Sequence, residues 1–300
     1  MTLTDTPPAP APVRRPPSTV RQMAGTAMLI LSATLLGFVG YVGLVSQLHF
    51  DRAQHAAYAD FRTQLAQATA PAGPRRPDDP NTLLDPGTSV AVLDIPEIGQ
   101  RDVVFEGTTG AILRDGPGHL RSTVLPGQAG VSEIMGRAAA YGGPFGRLSQ
   151  LRPGDTFTVT TGQGVADYRV LDLRRGGGPQ PAPVASGAGR LILATADGTP
   201  FLPSGVLRVD ADLVSPAQPT PSSGLYPVAL SPAEQAMATD PSAWYPLVLW
   251  GQALLLAAGL ITWARTRWGR WQVWIVAVPV LGFLGLAVAD QVTSLLLNLT

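Results

Sequence analysis

The sequence predicts an all-β domain, a barrel or a sandwich, joined to membrane-spanning α-helices. Its middle third consists of short alternating or apolar runs separated by turns rich in glycine and proline, a pattern typical of β-barrels and β-sandwiches. Three long apolar stretches lie outside that region, and proline-rich stretches separate them from it. A hydrophobic content of 45% over 300 residues suits a globular domain with membrane segments. The formal net charge of zero argues against a nucleic-acid partner, which usually requires a basic surface.

The N-terminal region predicts a tail, an anchor and a helix, in that order. Residues 1–22 are rich in proline and threonine, which predicts a disordered cytoplasmic tail. Residues 23–48 carry no charged side chain and are numerous enough to span a bilayer. We expect a retained anchor there, because the apolar run is too long for a typical signal peptide. In residues 49–70 apolar side chains recur close to helical spacing, which predicts a juxtamembrane helix.

The β-domain is predicted at residues 88–215, between two linkers. Residues 71–87 and residues 216–243 are dense in proline and small polar residues, a composition that favours connecting segments. Within the domain, five runs have the apolar or alternating character of strands, at residues 90–95, 156–161, 168–173, 190–195 and 206–214.

A helical hairpin is predicted after the second linker. Residues 244–264 and 271–297 form the second and third spans, and residues 265–270 form a short arginine-rich loop. Positive charge in short flanking segments marks the cytoplasmic side. The prediction is a multi-pass plasma-membrane protein with a cytoplasmic N-terminus, an extracellular β-domain and an extracellular C-terminus. Asp290 lies near the outer end of the third span, where it either reaches the interface or is an intramembrane carboxylate that needs a partner.

Six short motifs in the β-domain follow one another in a fixed order. They are residues 95–99 (IPEIG), 103–107 (VVFEG), 116–119 (GPGH), 125–127 (LPG), 141–145 (YGGPF) and 151–155 (LRPGD). In order and spacing they resemble a sortase of the class E-like kind, a membrane-tethered cysteine transpeptidase of Gram-positive bacteria. The resemblance implies an extracytoplasmic, all-β, eight-stranded barrel, here combined with three transmembrane helices. Sortases usually have one anchor, so the C-terminal hairpin is an addition.

The residues that the resemblance implies for catalysis are absent. A sortase needs a cysteine thiolate, a histidine and an arginine, and this chain contains no cysteine at all. Arg137 stands at the histidine position, Ala196 at the cysteine position and Val206 at the arginine position, with Arg208 two residues further on. An arginine cannot replace the histidine, because its guanidinium stays protonated near pH 7. We therefore predict no catalytic residue in the sortase sense, and we expect neither a cofactor nor a metal. His119 belongs to a motif that the resemblance implies is structural.

Five residues are predicted to line the former substrate groove. They are Glu133, Arg137, Thr195, Asp197 and Arg208. Positions 133, 135 and 137 share one face of a strand, so one hypothesis pairs Glu133 with Arg137 inside the vacant site. The alternative is that Glu133 faces solvent.

Three functions are compatible with this sequence. The first is a catalytically inactive binding or scaffold subunit of a cell-surface complex, which recognises a peptide or protein through the former groove. Its expected partners are the membrane and another membrane or cell-surface protein, such as an active sortase or its substrate. The second is a divergent transpeptidase or hydrolase that uses Thr195 or Ser132 in place of cysteine, with Asp197 or Glu133 as the base. The third is a purely structural anchor.

Overall fold

The computed structural model describes most of the chain from residue 40 onward. The described residues are 40–76, 79, 82–220, 230–239, 244–267 and 270–300, together with isolated positions between 25 and 37.

Eight strands close into a barrel. Their order around the wall is β1-β2-β3-β4-β7-β8-β6-β5. The pairs β2–β3 and β4–β7 are parallel and all the others are antiparallel. The strands are β1 Ser89–Ile95, β2 Gln100–Glu106, β3 Gly118–His119, β4 Gly130–Met135, β5 Thr156–Thr161, β6 Gly164–Arg175, β7 Gly189–Thr199 and β8 Leu202–Leu213. The eight-stranded barrel implied by the sequence resemblance is thus confirmed.

The barrel interior is filled by the apolar members of alternating strands. In β5 the buried positions are Phe157, Val159 and Thr161, and the residues between them are more exposed. This is the period of two that directs successive side chains to opposite faces of a sheet. In β1 almost every residue is buried, because a helix covers its outer face as well.

That helix is α1, Ser46–Ala66, which follows a short π-helical turn at Tyr41–Val45. It places the fully buried Phe61 against Val103 and Phe105 of β2. The Gln54 side chain accepts a hydrogen bond from the Val103 backbone N–H at 2.7 Å and donates one to the Val103 carbonyl. Since both backbone groups of one residue are satisfied by one amide, α1 is fixed in register on the barrel wall.

The C-terminal side of the chain forms an apolar helical hairpin. Its helices are α2, Trp244–Arg267, and α3, Arg270–Leu295, and they pack against each other. Within the described residues, two segments are long and apolar enough to cross a membrane, Trp244–Ala264 and Val273–Thr293, which suggests membrane association. The sequence predicted three. Much of the predicted first span, residues 23–48, lies outside the described residues.

The stretches predicted as linkers pack in part against the barrel. Leu84 is buried in the barrel core, and its backbone N–H donates to the Pro74 carbonyl at 3.0 Å. Beyond the barrel, Leu230, Ala236 and Met237 pack over a second apolar cluster on the outer wall. Apolar side chains placed among the prolines account for this packing, because burying them removes apolar surface from water.

Candidate functional site

The three positions that the sequence resemblance aligns with catalytic residues come together on the outer wall of the barrel. Ala196 of β7 is directly paired with Val206 of β8. Arg137 follows β4, which runs parallel to β7, and the Gly136 N–H extends that pairing by donating to the Ala194 carbonyl at 3.0 Å. The ends of β4, β7 and β8 therefore assemble one site from distant parts of the sequence.

The turn after β4 places the Arg137 side chain beneath the segments that cover the outer wall. A Cβ atom on Gly136 would lie 2.6 Å from the ring of Phe145, so only glycine allows the turn and the ring to pack this closely. The Phe145 N–H donates to the Arg137 carbonyl at 3.0 Å and closes the loop. Tyr141, at the loop apex, has a positive φ of 50° and is buried. The tight loop keeps the Arg137 side chain buried against residues 110–113, away from solvent.

Arg137 is 0% exposed, and backbone carbonyls satisfy its guanidinium. Nε donates to Leu113 O at 3.1 Å, Nη2 to Gly110 O at 2.9 Å and Nη1 to Thr300 O at 3.0 Å. The guanidinium carbon also lies 5.1 Å from the centre of the Tyr141 ring, within cation–π range.

No carboxylate side chain of the described residues forms a salt bridge with Arg137. Burial lowers the pKa of Arg137 to about 10, with Arg114 adding to the effect, so the group still carries its charge at neutral pH. A buried charge is costly unless polar partners surround it. Arg137 is thus a fixed, charged receptor for carbonyl oxygens, and it cannot exchange protons near pH 7.

The hypothesised Glu133–Arg137 ion pair does not form. Glu133 Oε1 instead lies 4.0 Å from Arg208 Nε, and burial raises the pKa of Glu133 although Arg208 opposes the shift. Arg174 and Asp210 form a bidentate pair beside them. Because β4, β7 and β8 are neighbours, Glu133 and Arg208 meet across the outer wall, whereas Arg137 turns into the loop. Glu133 is only partly exposed, so the solvent-facing alternative also describes it poorly.

The two hydroxyls considered as substitute nucleophiles, those of Thr195 and Ser132, are both buried. The Thr195 hydroxyl is buried and donates to the Gly136 carbonyl at 2.9 Å. Ser132 is buried on β4, and its hydroxyl has no hydrogen-bond partner among the described residues. Asp197 accepts from Arg175 Nε at 3.3 Å. No acid–base side chain in the described part of the chain is hydrogen-bonded to either hydroxyl, which a general-base mechanism requires.

A cavity of about 190 Å³ remains beside these residues. Its lining includes Ala138, Thr195, Ala196, Asp197 and Thr300. The structure therefore brings Thr195 and Asp197 of the predicted groove to one cavity next to Arg137, and separates them from Glu133 and Arg208. Within the described residues no group of three or more His, Asp and Glu side chains is placed to hold a metal ion.

The residues that cover this site could not be recognised from the sequence. Helix α3 ends at Leu295, and Asn298, Leu299 and Thr300 are almost completely buried against the barrel. They were predicted to lie at or beyond the end of the third span, because the leucines before them continue its apolar run. Asn298 was the available signal, since a carboxamide directly after an apolar helix is a typical end point.

His119 plays a structural role inside the wall. Its Nδ1 lies 2.9 Å from Glu106 Oε2 and its Nε2 lies 2.9 Å from the Val124 carbonyl oxygen, and the ring is 0% exposed. Two acceptors facing the two ring nitrogens favour the protonated imidazolium. Burial alone lowers the pKa of His119, but the Glu106 carboxylate and the Val124 carbonyl together raise it.

Comparisons with known proteins point to one family. The family model of the sortase domain matches residues 93–177. No curated protein matches the sequence. Among solved structures, a sortase D5 transpeptidase from Clostridium perfringens is 18% identical, with 55% of this chain and 98% of that chain covered and a TM-score of 0.42.

Two further solved structures are similar to this chain. Sortase E from Streptomyces avermitilis is 30% identical over 42% of this chain and 88% of its own, with a TM-score of 0.37. A lid mutant of sortase A from Corynebacterium diphtheriae is 24% identical over 44% of this chain and 73% of its own, with a TM-score of 0.39. The match of the sortase-domain model thus falls on residues 93–177, which form the first six strands of the closed eight-stranded barrel except for the start of β1.

Proposed function

We propose that this protein is a catalytically inactive, membrane-bound relative of the sortases that serves as a binding or scaffold subunit of a cell-surface complex. Ala196 stands where a sortase has its nucleophilic cysteine, Arg137 where it has the histidine that transfers the proton, and Val206 where it has the arginine, so all three catalytic groups are replaced together. What the site retains is the ability to hold a peptide backbone, for which no nucleophile is needed.

The environment of Arg137 is the observation that carries this proposal. Among the described residues, its hydrogen-bond acceptors are main-chain oxygens from three separate segments of the chain. A residue that replaces a catalytic histidine and binds only main-chain oxygens supports recognition of polypeptide. The same geometry gives no route for a proton to a leaving group.

The proposed location is the outer face of the plasma membrane. The two apolar helices α2 and α3 support membrane association, and the arginines of residues 265–270 favour a cytoplasmic position for the loop between them. The barrel and residues 296–300 then lie outside the cell, and the N-terminus lies inside. The proposed partner is another membrane or cell-surface protein, such as an active sortase or its substrate.

The competing function, a transpeptidase or hydrolase acting through Thr195 or Ser132, is tested by covalent labelling. The full chain in mild detergent is treated with a fluorophosphonate, which reacts with activated serine and threonine hydroxyls, and its intact mass is measured. We expect an unchanged mass for the wild type and for the matched variant Thr195→Val. An adduct that maps to Thr195 or Ser132 and is lost on substitution would restore an enzyme.

The binding role itself is tested by purification from the native membrane. The chain is extracted in mild detergent, and the masses of all co-purifying proteins are determined under non-denaturing conditions. A stoichiometric, non-covalent membrane or surface protein is expected. Extraction of the wild-type chain alone, under conditions that preserve other membrane complexes, would contradict the scaffold role.

A further inference from the structure

A short segment of this chain occupies the degenerate site. After α3 ends, residues 296–300 turn onto the outer wall of the barrel, and Leu299 is 0% exposed. Leu299 belongs to an apolar cluster with Leu113, Leu120, Met135 and Ala194, and the positions that replace cysteine and arginine, Ala196 and Val206, pack against the same cluster. The substituted residues have thus become part of the binding surface for this leucine.

Two consecutive main-chain oxygens of the segment accept hydrogen bonds, one from a backbone N–H and one from a side chain. The Ala138 N–H donates to the Leu299 carbonyl at 2.8 Å, and Arg137 Nη1 donates to the Thr300 carbonyl at 3.0 Å. Both donors belong to the loop that replaces the catalytic histidine. These contacts use groups that every peptide carries, as in other sites that bind extended peptides.

Asn298 adds the side-chain specificity. Its Nδ2 donates to Thr108 O at 3.1 Å and to Gln235 O at 2.8 Å, and its backbone N–H donates to Ala238 O at 2.9 Å. Side chain and backbone together therefore place three donors on three carbonyls of the surrounding loops. An aspartate at this position would have no side-chain donor for Thr108 and Gln235 when ionised. The site thus prefers a carboxamide followed by an aliphatic residue.

Helix α3 tethers the segment close to the site. Arg114 Nη1 lies 3.1 Å from Asp290 Oδ1, and the Tyr141 hydroxyl lies 3.0 Å from Thr293 Oγ1. Tyr141 also stacks beneath Arg137, so the helix end and the site share a residue. A short tether of this kind gives the segment a local concentration on the order of millimolar. A free peptide must therefore bind more tightly than the segment, or be present at a comparable concentration, to replace it.

We propose that Asn298, Leu299 and Thr300 are a tethered ligand of the former sortase groove, and that a partner peptide of the same pattern (carboxamide, aliphatic, then a residue whose carbonyl meets Arg137) binds by displacing them. This rests on the proposed binding function and adds its ligand class and its regulation. Displacement of α3 from Arg114 and Tyr141 opens the site. Occupation by the tethered segment closes it.

The first test measures occupation of the site directly. The chain has no cysteine, so single introduced cysteines give unambiguous thiol probes. In the full chain in detergent, Thr300→Cys replaces a residue that is 2% exposed, and Ser149→Cys at the exposed rim of the same cavity is the control. We expect maleimide to label Cys at position 300 at least about tenfold more slowly, because only transient release exposes it. Equal labelling rates would overturn the tethered ligand.

The second test measures displacement. Adding Asn298→Ala to the Thr300→Cys chain removes both side-chain donors and should speed labelling about tenfold, whereas Gln150→Ala at an exposed position should not. A fluorescent, end-blocked peptide of residues 296–300 should bind the Asn298→Ala chain about tenfold more tightly than the wild type by anisotropy. Equal affinity for the two chains would contradict competition between tethered and free peptide.

Arg137→Met separates recognition from unfolding. Made in the Asn298→Ala chain, in which the tethered segment competes less, this substitution should lower the affinity for the free peptide while keeping the β-sheet circular-dichroism spectrum of the wild type. An unchanged affinity would show that Arg137 does not contribute to peptide binding. These outcomes are independent of the fluorophosphonate experiment: an adduct at Thr195 would end the inactive-scaffold proposal without releasing the segment, and rapid labelling of Cys at position 300 would end the tethered-ligand proposal without creating an enzyme.

Discussion

Two outer surfaces of the barrel are covered by segments from outside it, and the two covers are built differently. Over β1 and β2, helix α1 inserts the fully buried Phe61 and attaches through the side chain of Gln54. Over β4 and β7, residues 296–300 lie in a site whose closest polar contacts are made to the main chain. The first surface depends on the shape of one particular helix. The second depends largely on groups common to all peptides, so its cover is the exchangeable one.

Truncating the helix cover should have the largest effect. Phe61→Ala removes a completely buried ring and leaves a cavity between α1 and the barrel, so we expect the free energy of unfolding to fall by about 3–5 kcal/mol. Chemical denaturation of the full chain in detergent, followed by circular dichroism, measures this. Asp60→Ala, at the neighbouring exposed position, should change stability by less than about 0.5 kcal/mol. If both variants are equally stable, α1 is a loosely attached cover after all.

The site surface is probed by replacing the guanidinium with an ammonium. Arg137→Lys keeps the charge but cannot direct donors to the carbonyls of Leu113, Gly110 and Thr300 at once. We expect a loss of about 2–3 kcal/mol of unfolding free energy from buried carbonyls left without partners. Arg147→Lys, at an exposed position of the same loop region, is the matched control and should be neutral. Similar values for the two variants would show that charge alone matters at the site.

Strand β2, which α1 covers, also contains a buried carboxylate that lowers stability at high pH. Burial, together with the charge of Asp51 on α1, raises the pKa of Asp102 on β2 to about 7. The folded state therefore holds this proton more tightly than the unfolded state, and stability falls as pH rises from about 4 through 7. Asp102→Asn should stabilise the protein by about 1–2 kcal/mol at pH 8 and have little effect at pH 4. A gain that is the same at both values would show that ionisation is not its cause.

The smallest expected effect comes from inside the wall, at His119. Its pKa is raised in the folded state, so its contribution is complete below about pH 6.5 and is lost as pH rises through the folded value. His119→Gln, made in the Asp102→Asn chain so that Asp102 does not titrate, should reduce the remaining fall of stability with pH without abolishing it, because the pKa of Glu133 is raised as well. Thermal midpoints measured from pH 5 to 9 test this. If the thermal midpoint of the variant falls with pH as steeply as before, the titrating group is not His119.

The parts of this fold that local patterns determine could be predicted from the sequence. Alternation in segments such as Phe157 and Val159 specifies which side of a strand is buried, and the motif order specified the barrel. The absence of cysteine could also be read directly, and so could the identities of Arg137, Ala196 and Val206 at the positions that the resemblance aligns with catalytic residues.

The contacts that define the site depend on long-range geometry, which periodicity does not show. Arg137 and Thr300 are 163 residues apart, and nothing near either one indicates the other. The hypothesis that Glu133 pairs with Arg137 was wrong for a related reason. Strand periodicity places Glu133 and Arg137 on one face, but it gives neither the turn that withdraws Arg137 nor the arrival of Arg208 from β8.

The order of these segments along the chain has a consequence for biosynthesis. The barrel is fully translated once Leu213 has emerged, whereas residues 296–300 follow about 80 residues later, and domains generally fold as units in the order in which they are synthesised. We expect the newborn barrel to pass through an interval in which Arg137 lacks its Thr300 acceptor. During that interval a chaperone or a partner meets an unoccupied site, and the loading of the complex coincides with translation of the helical hairpin.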